Sequence, residues 1–157
     1  MSKGTIVASV AMKELGYSED PPDSNMNKYG EWYGHNLNGV PWCAELVSWV
    51  YAQAGFPLGH IDTDKGMHYT PSALNYFKTT NEVVTSPVGP GDIVFFDWQG
   101  DGKVDHVGIF LQDYDKISFF SLEGNTAVGN NSNGGQVMLR LRRYKNAIFV
   151  HPRILNG

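Results

Sequence analysis

The spacing of apolar and polar positions changes character midway along the chain. Ile6, Val7, Val10, Ala11 and Leu15 recur at helical intervals, and Gly16 stands where a left-handed C-terminal cap is wanted, so a helix is predicted over 3–15. Asp20-Pro21-Pro22-Asp23-Ser24-Asn25-Met26-Asn27 is dense in turn formers and predicts an ordered surface loop, after which Tyr29, Trp32 and Tyr33 return the chain to the body. From Cys43, the residues Leu46, Val47, Val50, Tyr51 and Ala54 form the stripe of a second helix face, with Cys43 on the buried-facing side. Pro41 before its start and Gly55 past its end mark the boundaries, and Thr70-Pro71 opens a third short helix carrying Leu74 and Phe77, with a capping hydroxyl before the proline.

After Pro90-Gly91-Asp92 the period shortens to that of strands, predicted over 93–96, 106–111, 117–123, 136–142 and 148–150. Asp101-Gly102 and Asn133-Gly134 are hairpin turn signals, and short connections imply antiparallel neighbours. Helices first and strands later give an α+β class, with N-terminal helices packed on one face of an antiparallel β-sheet. The 157 residues contain no repeat or linker and suit one unit, 1–157.

Composition narrows the function. Twelve Lys and Arg against sixteen Asp and Glu leave a net charge of −4 with no basic stripe, which argues against nucleic acid as a partner. No apolar run approaches the roughly 20 residues that cross a bilayer, so no membrane insertion is expected. Thr5 to Met12 runs into Lys13 and Glu14 without a small-residue cleavage site and is read as helix, not as a signal peptide. An aromatic share of 13% suits a packed fold and a groove that stacks on sugar or peptide faces.

The single cysteine, Cys43, can form neither an internal disulfide nor a paired-cysteine zinc site. A thiol is a useful nucleophile only as thiolate, which a helix N-terminus or a neighbouring histidine favours, and Cys43 sits at such a terminus. The plain alternative is a small buried hydrophobe. His106 begins a strand in which alternation puts His106, Gly108 and Phe110 on one face; a sheet under the Cys43 helix would bring this ring to the thiol as general base, with Gly108 leaving space for substrate or helix. Otherwise His106 is a half-buried histidine bonded to a loop carbonyl. If 106–111 and 117–123 pair as a hairpin, Glu123 returns beside His106, and Asn125 lies two residues on, although Glu123-Gly124-Asn125 also reads as a polar turn. His35, His60, His68 and His151 read as surface residues.

Asp97-Trp98-Gln99-Gly100-Asp101-Gly102-Lys103-Val104-Asp105 has part of a calcium-loop spacing, with Asp97, Asp101 and Asp105 as the candidate ligands. The position-12 glutamate is replaced by Gly108, and a strand-connecting Asp-Gly turn is the favoured alternative.

Pro41-Trp42-Cys43-Ala44, Val47-Ser48-Trp49, Ala54-Gly55, Gly91-Asp92-Ile93, His106-Val107-Gly108-Ile109 and Glu123-Gly124-Asn125 together resemble the CHAP domain, the cysteine, histidine-dependent amidohydrolase/peptidase, from about Tyr29 to Val150. The resemblance implies a papain-like fold and hydrolysis of an amide bond in bacterial peptidoglycan, either as N-acetylmuramoyl-L-alanine amidase or as peptide endopeptidase, with no cofactor required for the chemistry. It implies that Cys43 attacks, that His106 shuttles the proton, that Glu123 and Asn125 orient and polarise His106, and that the Cys43 N–H contributes to an oxyanion hole. Lys28-Tyr29-Gly30-Glu31-Trp32-Tyr33-Gly34 further resembles phage-encoded lysins, which implies a bacteriolytic endolysin made in the host cytoplasm without a signal peptide and acting on the cell wall, with any cell-wall-binding domain outside this chain. A bacterial autolysin or toxin effector on the same fold and a non-catalytic wall-binding module are the alternatives.

Overall fold

Helices come first and a six-stranded sheet follows in the computed structural model, which describes residues 1–127 and 129–157. Helix α1, Lys3–Met12, starts at Ser2, whose hydroxyl accepts the Thr5 N–H at 3.1 Å. It stops three residues short of the predicted end. Gly16, left-handed at φ 94°, sends its N–H to the Val137 carbonyl at 3.0 Å, and Leu15 is left half out in solvent. Helix α2, Lys28–Tyr33, has only six residues, too few for a periodicity signal; Asn27 caps it by accepting the Gly30 N–H at 2.9 Å.

Helix α3, Cys43–Gln53, has the predicted limits to within a residue. Gly55 turns left-handed at φ 91°, and the Phe56 N–H reaches back to the Tyr51 carbonyl at 2.9 Å, closing the last turn. Helix α4, Thr70–Thr79, forms where Thr70-Pro71 predicts it, but the Thr70 hydroxyl does not cap it. That hydroxyl donates to the Val104 carbonyl at 3.2 Å and ties the helix to the segment before His106.

The strands are β1 (Val83–Val84), β2 (Ile93–Phe96), β3 (His106–Asp113), β4 (Ser118–Thr126), β5 (Gln136–Arg143) and β6 (Ala147–Val150), in the order β1-β6-β2-β3-β4-β5. Every pairing is antiparallel. The two-residue β1 is too short to register in a pattern of alternation. Each face of the sheet buries its own cluster. Ile93, Phe95, Val107, Ile109 and Leu122 pack with residues of all four helices, including Val7, Tyr29, Leu46, Val50 and Leu74. On the other face Val94, Phe96, Phe110, Phe119 and Phe149 make a smaller, largely aromatic core. The helices thus cover one face, as the α+β prediction requires.

Candidate active site

Cys43 is the first residue of α3 and His106 the first of β3, and the two side chains adjoin. Trp42, which precedes α3, supplies no side-chain cap, so the first-turn N–H groups lack the acceptor that a serine or aspartate would give them. Trp42 is itself fully buried; its indole stacks on Tyr29 at 5.6 Å and donates to Glu19 at 3.0 Å, fixing where the helix begins. The thiol is almost completely buried.

His106 faces away from the helix-side cluster. Its ring stacks on Trp98 and Phe96, at 5.3 and 6.1 Å between centroids, and is closed off from solvent. Its Nε2–H donates to Glu123 Oε1 at 3.0 Å, so Nδ1 is the nitrogen left for Cys43. Among the described residues, the buried side-chain atoms without a hydrogen-bond partner are this Nδ1 and both carboxylate oxygens of Glu45.

Burial by itself would lower the proton affinity of His106, but the adjoining Cys43 and Glu123 outweigh it and push its pKa up to about 9. Burial would likewise raise Glu123, yet hydrogen bonds and charge from Arg142 and His106 hold it down at about 2. Arg142 clamps the carboxylate from β5, and the Ser121 hydroxyl donates to Oε2. The site therefore contains a carboxylate that stays charged, an imidazole that favours its proton, and a thiol beside it.

Cys43, His106 and Glu123 are brought together as the sequence suggests. Asn125 is not. A bulge between Glu123 and Thr126 breaks the alternation, and Asn125 adopts a left-handed φ of 57°. Its Oδ1 accepts the Gly135 N–H at 3.1 Å and its amide donates to Asn133 Oδ1 at 3.2 Å, so it braces the β4–β5 connection instead of polarising His106. Gly108 also serves differently from expectation: a Cβ there would lie 2.7 Å from Glu123 Cγ, so the space it leaves is filled by the glutamate stem, not by substrate or helix.

Asp97, Asp101 and Asp105 are not gathered as ligands. Asp97 accepts the N–H groups of Asp101 and Gly102 at 3.2 and 2.8 Å, Asp101 accepts that of Lys103 at 2.9 Å, and Asp105 accepts that of Trp98 at 3.0 Å. Their carboxylates hold the strand connection together as a turn, and among the described residues no three His, Cys, Asp or Glu side chains cluster as a metal site. Of the outlying histidines, His35 pairs with Asp64 at 2.8 Å, while His151 differs from expectation in being largely buried against Asp92 at 2.6 Å.

Sequence reasoning missed Arg142, Ser121, Trp98 and Glu45. Arg142 and Ser121 had a weak signal, since each falls on the face of its strand that Glu123 occupies once register is known. Glu45 had none, because a carboxylate two residues into an amphipathic helix reads as an ordinary first-turn acid.

The model of the CHAP domain matches residues 26–125, which span α2, Cys43, His106 and Glu123. The chain belongs to the CHAP family. Membership makes this CHAP domain a hydrolase of the amidase and peptidase kind. A comparison with curated proteins gives no match. Among solved structures, Ly7917 with the hydrolyzing product of MDP aligns over 95% of this chain and 63% of that one, at 12% identity and a TM-score of 0.49. Among the described residues no helix of the CHAP chain is long and apolar enough to cross a membrane.

Proposed function

We propose that the protein hydrolyses an amide bond of bacterial peptidoglycan, between muramic acid and the stem peptide or within the peptide, using Cys43 as nucleophile. The observation that supports this best is the buried imidazole whose Nε2 is held by Glu123 while Nδ1 is left to a thiol at an uncapped helix N-terminus. Cys43 Sγ attacks the carbonyl carbon, and the first-turn N–H groups of α3 donate hydrogen bonds to the developing oxyanion. Protonated His106 gives its Nδ1 proton to the leaving amine as the C–N bond breaks, leaving a thioester. His106, now neutral, takes a proton from water, whose oxygen attacks the thioester; the acid departs and Cys43 and His106 recover their starting charges. Neither step draws on a metal or cofactor. The resemblance of residues 28–34 to phage lysins supports an endolysin that reaches the wall from the cytoplasm of its host.

Purified Gram-positive walls incubated with wild type and with Cys43→Ala, followed by turbidity and by mass spectrometry of released muropeptides, test this. Fragments from the wild type alone, with new amine and carboxylate termini, are expected, and the termini name the bond. Walls left intact by both, but bound by both, would transfer support to a binding module.

A further inference from the structure

Arg142, near the end of β5, brings a positive charge to the site. Its Nε lies 2.8 Å from Glu123 Oε2 and its Nη2 2.6 Å from Oε1, a two-point grip that a planar guanidinium makes and an ammonium cannot. The same guanidinium lies over Trp98 at 5.0 Å and over Phe96 at 5.5 Å, the two rings that stack on His106. Its Nη1 donates to Asn131 Oδ1 at 3.1 Å. Arg142 therefore touches the carboxylate and both rings that orient the imidazole, without being among the reacting atoms.

We propose that Arg142 is a positioning residue that allows the buried Cys43–His106 pair to exist as thiolate and imidazolium, by holding Glu123 ionised and in place. The inference rests on Cys43 and His106 being the reacting pair. Charge counting gives the reason. With Arg142 present, arginine, glutamate, imidazolium and thiolate sum to zero. Without it the set passes from zero to one uncompensated negative charge when the thiol beside the imidazolium loses its proton, and burial penalises that state strongly. The other charged and titratable groups that bear on Glu123 are His106 from β3 and Arg140 from β5; Cys43 from α3 acts through His106.

Because Cys43 is the only cysteine, alkylation with iodoacetamide reads the pair without any cell wall. The rate is followed from pH 5 to 9 for wild type, Arg142→Gln, Arg142→Lys, Glu123→Gln and the Glu123→Gln/Arg142→Gln double variant, with thermal melts as a check of folding. Arg142→Gln is expected to move the acid limb upward by about one pH unit or more, and Arg142→Lys to move it by a smaller amount, since the charge is kept but the two-point grip is lost. In the Glu123→Gln background the arginine change is expected to add little, because the two act through one contact. An acid limb unmoved in Arg142→Gln, or moved equally with and without Glu123, overturns the proposal. Should Arg142→Gln fail to fold, Arg142→Lys decides: an acid limb displaced upward by about half a unit or more supports the proposal, and an unmoved limb overturns it. Wild-type alkylation at pH 6 no faster than that of free cysteine would instead remove the reading of Cys43 and His106 as reacting pair, a result separable from the fate of Arg142.

Discussion

At the scale of single residues, function depends on atoms that have no room to move. Gly108 is the sharpest case. A methyl group there would press on Glu123 Cγ at 2.7 Å and on the Leu122 carbonyl oxygen at 2.9 Å, and Glu123 cannot yield without breaking its bonds to His106 and Arg142. Gly108→Ala is therefore expected to lower kcat/KM on walls by at least about tenfold, the cost of a modest misplacement at a catalytic group, while the cooperative melt survives. The pH profile carries a second expectation. His106 holds its proton up to about 9, so the imidazolium that protonates the leaving amine is present below that value and lost as pH rises through it. The alkaline limb of kcat/KM is expected near pH 9, and Glu123→Gln, which removes the anion that favours the imidazolium, is expected to move it downward. Cys43, His106 and Glu123 were legible because helix start, strand start and hairpin register are local patterns. Asn125 misled because a bulge and a left-handed φ cancel the alternation on which its placement rested, and neither is written in residue type alone.

At the scale of elements, the site is made by where α3 begins relative to β3 and β4. Gly124 sets that distance on the β4 side. A Cβ there would stand 2.7 Å from Leu46 Cδ2 and 2.8 Å from Trp42 Cζ3, and both side chains are fully buried in the helix-side core. The indole is further held by its bond to Glu19, so relief can come only from lifting the start of α3. Gly124→Ala is expected to cost about 1–3 kcal/mol in urea unfolding, the usual penalty for overpacking, and to depress activity beyond what stability explains because Cys43 rides on the displaced turn. Unchanged activity alongside reduced stability would show that the start of α3 tolerates the shift. The elements themselves were largely legible: α3 and the five longer strands follow periodicities that burial on one face imposes. What was not legible is short or non-local. Helix α2 and strand β1 lack the length to show a period, and α1 ends early because Gly16 is taken by a strand 121 residues further on (Val137).

At the scale of the whole molecule, the buried Glu45 couples stability to pH. It is fully buried in α3, neither carboxylate oxygen has a partner, and burial pushes its pKa up to about 8. An acid raised in the folded state keeps a proton that the unfolded chain has released. Below its ordinary value near 4.5 both states hold the proton and stability is unaffected; between there and about 8 stability falls as pH rises; above 8 the loss is complete. The slope from one such group is about 1.4 kcal/mol per pH unit. His106 adds a loss of the same sign, since its raised value gives stability that is whole below its ordinary 6.5 and gone above about 9, so the wild-type slope alone cannot be assigned. Glu45→Gln isolates the share of Glu45, because the amide matches the neutral acid in shape and has no proton to release. Urea unfolding at pH 5 and pH 8 is expected to give nearly equal stabilities for the two proteins at the lower pH, and an advantage of a few kcal/mol to the glutamine protein at the higher. A gap that does not change with pH would mean that Glu45 is ionised and compensated in the folded chain, and that α3 carries a second negative charge two residues from the thiol.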